Sequence, residues 1–438
     1  MKLREPADGR VVEAVVGAFR DSAERAGERL STIRQRAWAR SYYWLDASGL
    51  ALYFLNRLET LGIEEAIPVE TLRRLQQNFA DNRRRSHAMF VEFVSLNRAF
   101  QAAGVDYANL KGFTLSPESC PMPALRRQLD IDFLVDGTQL EPCRKILVEA
   151  GYILTGATKT TWEFKAAASQ LEGMKDFYKS RLHRSVELHF SSTTAGSPSR
   201  DERLDRLAKR LLDGFTFPAL QPSDQLIGQT LHLLEHLCGA STRPAWILEY
   251  KNHVSFYYYD QKFWQSVAER SMHHRRAPIA LGIASLLSSC LFGGETPSQL
   301  DEWTLDCLPG SVKLWVEHYG TRAVLADFPG TKLYLLLLHE LERSEQVQPS
   351  QTQEQRKLLP LHRAPRIVYA APDDNLWQWL RKEIHQVRFV LFRLRFHVVE
   401  GIRYLIEAAR WKRQLSTLQN ATGGTIHLAV SGPSQAKD

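Results

Sequence analysis

The segment Leu129-Asp130-Ile131-Asp132-Phe133-Leu134-Val135 restricts what this chain can be more than any other. A strand sends successive side chains to opposite faces, so Asp130 and Asp132 share one face while Leu129, Ile131, Phe133 and Val135 share the other. One face can anchor in a core while the other presents two neighbouring carboxylates. Like charges held that close are costly unless a cation sits between them. Paired hard oxygen ligands suit Mg²⁺ or Mn²⁺, the ions that accompany nucleoside triphosphates. Metal-assisted phosphoryl or nucleotidyl transfer is the chemistry this points to. The plainer alternative is a pair of solvated carboxylates at an exposed strand end.

The flanking segments favour the first reading. Upstream, Val105 to Leu110 reads as a short strand that ends at Lys111-Gly112. A glycine there lets the backbone approach a phosphate, the following turn can aim N–H groups at it, and Lys111 offers a mobile ammonium. Arg126 follows before the paired aspartates. Downstream, Ser185-Val186-Glu187-Leu188-His189-Phe190 alternates again, with Glu187 and His189 on one face. Set beside the Asp130–Asp132 strand, it would add a third carboxylate, enough to hold two metal ions and activate an attacking hydroxyl. His189 is a neighbour of that face without an assigned role.

Together, Leu110-Lys111-Gly112, Arg126, Asp130-Ile131-Asp132-Phe133-Leu134-Val135 and Val186-Glu187-Leu188-His189-Phe190 resemble the uncharacterised nucleotidyltransferase family of the DNA polymerase β-type superfamily. The later His232–His236 helix and Arg243-Pro244-Ala245-Trp246-Ile247-Leu248-Glu249 extend the likeness over roughly residues 40 to 295. The resemblance implies Asp130, Asp132 and Glu187 as metal-binding and catalytic positions, with Mg²⁺ or Mn²⁺ as cofactor. It also implies Lys111, Gly112 and Arg126 as the group that holds the triphosphate. Two departures stand out: the turn is Lys-Gly where the wider superfamily has Gly-Ser or Gly-Gly, and the third acidic position is Glu rather than Asp. Glu249 stands where Asp is usual, which leaves its role open. The resemblance names a chemistry, transfer from an NTP to a hydroxyl acceptor, and no particular acceptor.

Composition agrees with a folded enzyme: of 438 residues, 44% are hydrophobic and 24% charged, near globular averages. The five cysteines are scattered with no Cys-x-x-Cys spacing, so neither a zinc ribbon nor a disulfide framework is indicated. Free thiols fit a reducing cytoplasm. The first residues are charged and lack the apolar run of a signal peptide. The longest uncharged stretch, Ala277 to Gly294, is only marginally long enough to span a bilayer and reads as a buried helix.

The expected fold class is α+β, a small mixed β-sheet nucleotidyltransferase core embedded between helical regions, with a helical C-terminal part. The expected organisation is a helical region over 1–103, the catalytic core over 104–200 and a helical domain over 201–343. A linker over 344–372, a basic amphipathic helical segment over 373–415 and a disordered tail over 416–438 follow. The tandem Arg83-Arg84-Arg85 reads as a solvated helix face.

The stretch from Leu376 to Leu415 holds nine Lys/Arg against three Glu, so +6 of the chain's +7 sits there, interleaved with Trp377, Trp379, Phe389, Phe392, Phe396, Tyr404 and Trp411. It can pack on the body, lie on an anionic membrane surface through residues 376–415, or, as the weaker option, contact nucleic acid. That placement, cytoplasmic and peripheral to the membrane, carries the alternative function: a non-catalytic nucleotide-binding or membrane-surface scaffold. One decoy remains. His232-Leu233-Leu234-Glu235-His236 matches the inverted zinc-protease pattern, but no separate third ligand stands out.

Overall fold

The computed structural model describes residues 6–166, 177–179, 185–193, 196–239, 242–343, 358 and 375–421. The N-terminal part is helical: α1 (Gly9–Gly17), α2 (Ala23–Ser31), α3 (Gln35–Ala47), α4 (Ala51–Leu61) and α5 (Val69–Ala102). Asp8 and Ser22 cap the first two by accepting from the backbone N–H of Arg10 and Arg25, which meets donors that a helix start leaves without partners. Along α5, Met89, Phe90, Phe93, Leu96 and Phe100 form a buried stripe at the spacing of one helix face. Arg83 and Arg84 are exposed as expected, but Arg85 is buried.

That stripe packs on a seven-stranded mixed sheet. Its strands are β1 (Tyr107–Leu110), β2 (Asp130–Val135), β3 (Tyr152–Ala157), β4 (Thr161–Ala166), β5 (Ser185–His189), β8 (Leu207–Leu212) and β9 (Phe215–Leu220). The order is β3-β4-β5-β2-β1-β9-β8. The pairs β2·β5 and β1·β9 are parallel and the rest antiparallel. α6 (Leu140–Glu149) connects β2 to β3, and the short strands β6 (Ser191–Ser192) and β7 (Pro198–Ser199) pair separately. Ile131, Phe133, Val186, Leu188 and Phe164 join the α5 aromatics in one core, so the apolar faces of β2 and β5 point together. β1 is fixed by a closed polar group: Asn97 and Asn109 donate to each other's Oδ1 at 3.1 and 2.7 Å, and Tyr107 donates to Asn97 Oδ1 at 2.8 Å. Buried polar atoms that are all paired specify one arrangement.

A helical domain is expected from residue 201 onward, and here the structure differs. Leu207–Leu212 and Phe215–Leu220 form a hairpin joined by Asp213-Gly214, whose φ angles are +46° and +77°. An Asp-Gly pair with two positive φ values is the tight turn that matches strand twist. Helices resume with α7 (Pro222–Leu237), α8 (Pro244–Phe256), α9 (Gln261–Met272) and α10 (Ala277–Phe292), followed by the short α11 (Ser298–Asp301). α10 is the long uncharged stretch, and it is buried along most of its length. Among the described residues no helix is long and apolar enough to cross a membrane.

The chain divides into two compact units, residues 1–308 with 316–330, and residues 309–315 with 331–438. Past α12 (Gly310–Trp315), α13 (Thr321–Val324) belongs to the first unit, and α14 (Tyr334–Arg343) and α15 (Leu376–Ala421) to the second. Within the second, Trp315 Nε1 donates to Leu333 O at 3.0 Å and Trp411 Nε1 to Glu340 Oε1 at 3.3 Å. The buried Glu400 pairs with Arg403 and accepts from Lys332 N at 3.4 Å. The linker expected at 344–372 lies outside the described residues but for position 358. α15 runs on to Ala421, beyond the expected boundary at 415, and residues 422–438 of the expected tail lie outside the described residues.

Candidate active site

The parallel register of β2 and β5 places Asp132 opposite Glu187 and Asp130 opposite Ser185. Paired residues in a sheet point to the same face, so Asp130, Asp132, Glu187 and His189 share the face opposite the core. His189 Nε2 lies 3.0 Å from Asp132 Oδ1 and 3.3 Å from Glu187 Oε2. Lys111 Nζ reaches the same Asp132 oxygen at 3.2 Å. Five of the residues singled out in the sequence therefore converge: Lys111, Asp130, Asp132, Glu187 and His189.

Electrostatics follow from that convergence. Burial alone would raise the pKa of Asp132, but the hydrogen bond from His189 and the Lys111 ammonium hold it well below the ordinary carboxylate value. For Asp130, burial and the Asp132 charge outweigh the pull of Lys111 and Arg126, so its pKa is raised. Burial works against charge on Lys111 and on His189 as well. The surrounding carboxylates outweigh it for Lys111, and hydrogen bonds to Asp132 and Glu187 outweigh it for His189, so both pKa values are raised.

Ligand atoms of Asp132, Glu187 and His189 lie within 4.8 Å of one another. The donor set fits a divalent ion through its carboxylates, and the imidazole suits Mn²⁺ better than Mg²⁺. Among the described residues this is the only group of three or more such side chains placed to hold a metal, and His232 and His236 are not part of it.

The turn leading into this site is strained. Lys111 has φ +49° and ψ −154°, a region nearly confined to glycine and costing a side chain on the order of 1–3 kcal/mol. Gly112 follows with φ +50°, and a Cβ there would sit 2.2 Å from Gln128 Nε2. Residues 112–115 then form a single 3₁₀ turn closed by Thr114 N to Lys111 O at 2.9 Å. Two successive positive-φ residues are what the sequence could only hint at with Lys-Gly.

Arg126 is held at both ends. Its carbonyl accepts from Asn82 Nδ2 at 3.1 Å, and its Nε donates to Glu249 Oε1 at 3.0 Å. Glu249 is buried and also accepts from Tyr53 at 2.8 Å. Using Nε for this bond leaves the two terminal nitrogens of the guanidinium for another anion. The partners of Glu249 come from α4 and from the segment before β2, too far apart in sequence for any spacing to reveal.

The family described as uncharacterised nucleotidyltransferase matches this chain over residues 34–292, more than half its length. No curated protein matches it. Among solved structures it is similar to the lincomycin-bound lincosamide antibiotic adenylyltransferase LnuA, at 14% identity and a TM-score of 0.25, over 39% of this chain and 96% of that one. At that score the likeness bears on neither fold nor substrate.

Proposed function

The chain belongs to the uncharacterised nucleotidyltransferase family, and from that membership we propose that it moves a nucleoside monophosphate from an NTP to a hydroxyl acceptor, with pyrophosphate as the other product. The observation that carries this reading is the shared face of β2 and β5, on which Asp130, Asp132 and Glu187 meet beside Lys111. Asp130, Asp132 and Glu187 would hold Mg²⁺ or Mn²⁺, which supplies charge neutralisation and a more acidic acceptor hydroxyl when bound. Lys111, which neutralises Asp132 in its absence, is then free to turn to a phosphate oxygen. The Gly112 turn and the terminal nitrogens of Arg126 complete the anion cradle. The acceptor oxygen attacks the α-phosphorus, the bond to the β-phosphate oxygen breaks, and Glu187 takes the acceptor proton.

The test is calorimetric titration of each nucleoside triphosphate, with Mg²⁺, into the protein and into Asp130→Asn/Asp132→Asn. Metal-dependent binding that the double variant loses supports the reading. A folded protein that binds no triphosphate refutes it.

A second reading concerns the second unit. On α15, Ile384, Val387, Leu391, Leu394, Val398 and Ile402 recur every three or four residues and are all more than a third exposed. Arg381, Arg388 and Arg395 run beside them at seven-residue steps. An exposed apolar row flanked by arginines matches an anionic lipid surface, which buries the one and attracts the other. Co-sedimentation with phosphatidylserine vesicles tests it: binding that falls with salt and with Leu391→Glu/Leu394→Glu supports peripheral association, and salt-independent or absent binding refutes it.

A further inference from the structure

α7 and α8 each run one face along the segment 113–126, which joins the Lys111-Gly112 turn to β2. On α7 that face comprises Gln225, Gln229, His232 and His236, neighbours at helical spacing. Gln225 Nε2 donates to Thr114 O and Gln229 Nε2 to Ser119 Oγ, both at 2.9 Å. On α8 the face comprises Trp246, Glu249 and His253; Glu249 holds Arg126, and His253 Nδ1 meets Ser119 Oγ at 2.9 Å. Beyond these anchors the two faces close on each other through rings. His236 lies 4.5 Å from the Trp246 ring centre and His232 lies 5.0 Å from it. The two imidazoles are 4.5 Å apart, and the Arg243 guanidinium sits 5.3 Å over the indole.

These three rings are mostly buried, but each keeps part of its surface open to solvent. The wall is joined to the Arg126 side of the site through Glu249, which lies three residues on from Trp246 in α8 and holds Arg126. Burial and then the Lys111 charge push the pKa of His232 down to about 3, and Asp132 acts on it too. His232 is therefore a neutral ring at pH 7, and neutral aromatic rings beside an anion cradle suit a flat uncharged group attached to the phosphates.

We propose that His232, His236 and Trp246 form the stacking wall for the nucleobase of the triphosphate. This rests on the nucleotidyl-transfer reading and adds where the base is held. Every base has a π face, so stacking is tolerant of base identity. All four ribonucleoside triphosphates should therefore bind with small differences among them.

The test separates base from phosphate. Affinities of the full chain for ATP, GTP, CTP, UTP and inorganic tripolyphosphate are measured with Mg²⁺, for the protein and for Trp246→Leu and Trp246→Tyr. The expected result is that the nucleotides bind about tenfold or more tighter than tripolyphosphate. Trp246→Leu removes that preference without weakening tripolyphosphate, and Trp246→Tyr restores most of it. A folded Trp246→Leu that keeps the preference overturns the proposal. So does one that weakens nucleotides and tripolyphosphate alike, since that marks a structural role. If the unaltered protein binds neither, it is the transfer reading itself that falls.

Discussion

The β2–β5 face and the α15 helix each break an ordinary rule of folding, in opposite directions. On the sheet, carboxylates are drawn out of water: Asp132 is 3% exposed, with Asp130 and Glu187 beside it. On α15, large apolar side chains stay in it: Leu391 is 58% exposed. Buried like charges raise the energy of the fold, and exposed apolar rows make a chain prone to associate. Sites where local rules fail are where function is to be sought. The two differ in how firmly they are held. The carboxylates ride on strands whose register is locked by a core on the opposite face, with Lys111 and His189 already paired to them. The apolar row of α15 is exposed on a helix whose buried anchors, Glu400, Trp411 and Leu415, lie off that row.

The two faces should therefore respond differently to substitution. The largest effect is expected from Asp132→Asn, which should lower pyrophosphate release from the tightest-binding NTP by about 10³-fold or more while the circular dichroism spectrum stays unchanged. Retained turnover would reduce the sheet face to solvated strand-end carboxylates and remove one side of the contrast. Next is Glu249→Gln. It loosens Arg126 and removes a buried counter-charge, so NTP affinity should fall roughly tenfold and the melting temperature by several degrees. Tyr53→Phe, which keeps the Arg126–Glu249 bond, should do much less in the same assays.

A third effect is one of pH. Burial pushes the pKa of His253 down to about 3, and its ring is wholly inside. The folded state therefore binds fewer protons than the unfolded chain below the ordinary value of 6.5. Stability from this group is present above that pH and lost as pH falls toward 3, on the order of 1 kcal/mol per pH unit. Urea midpoints at pH 7.5 and 5.5 should differ for the protein and differ less for His253→Gln. The smallest effect belongs to α15: Leu391→Glu/Leu394→Glu should leave both transfer and stability within about 0.5 kcal/mol, abolishing vesicle binding alone. A large stability loss would show that the row is packed and not a free surface.

The legible parts of the site were those carried by local alternation. Period two put Asp130 with Asp132 and Glu187 with His189, because a strand's face depends only on parity. The hairpin at Asp213-Gly214 has a local signal, the two-residue Asp-Gly turn, set just ahead of a strongly helical stretch. The Arg126–Glu249–Tyr53 group and the ring wall had no local signal. Their members sit up to 196 residues apart in sequence, and only packing brings α4, α7 and α8 around the turn.

By itself the sequence determined which side chains share a strand or helix face, because backbone periodicity acts over a few residues, and its motifs carried the likeness to a family built on a mixed sheet between helices. The tertiary structure alone decided that β5 lies parallel to β2 with Glu187 beside Asp132, that His189 bridges both, and that Glu249 takes hold of Arg126. Each depends on which strands pair and which helices meet, a choice made by the burial of a shared core across the whole chain.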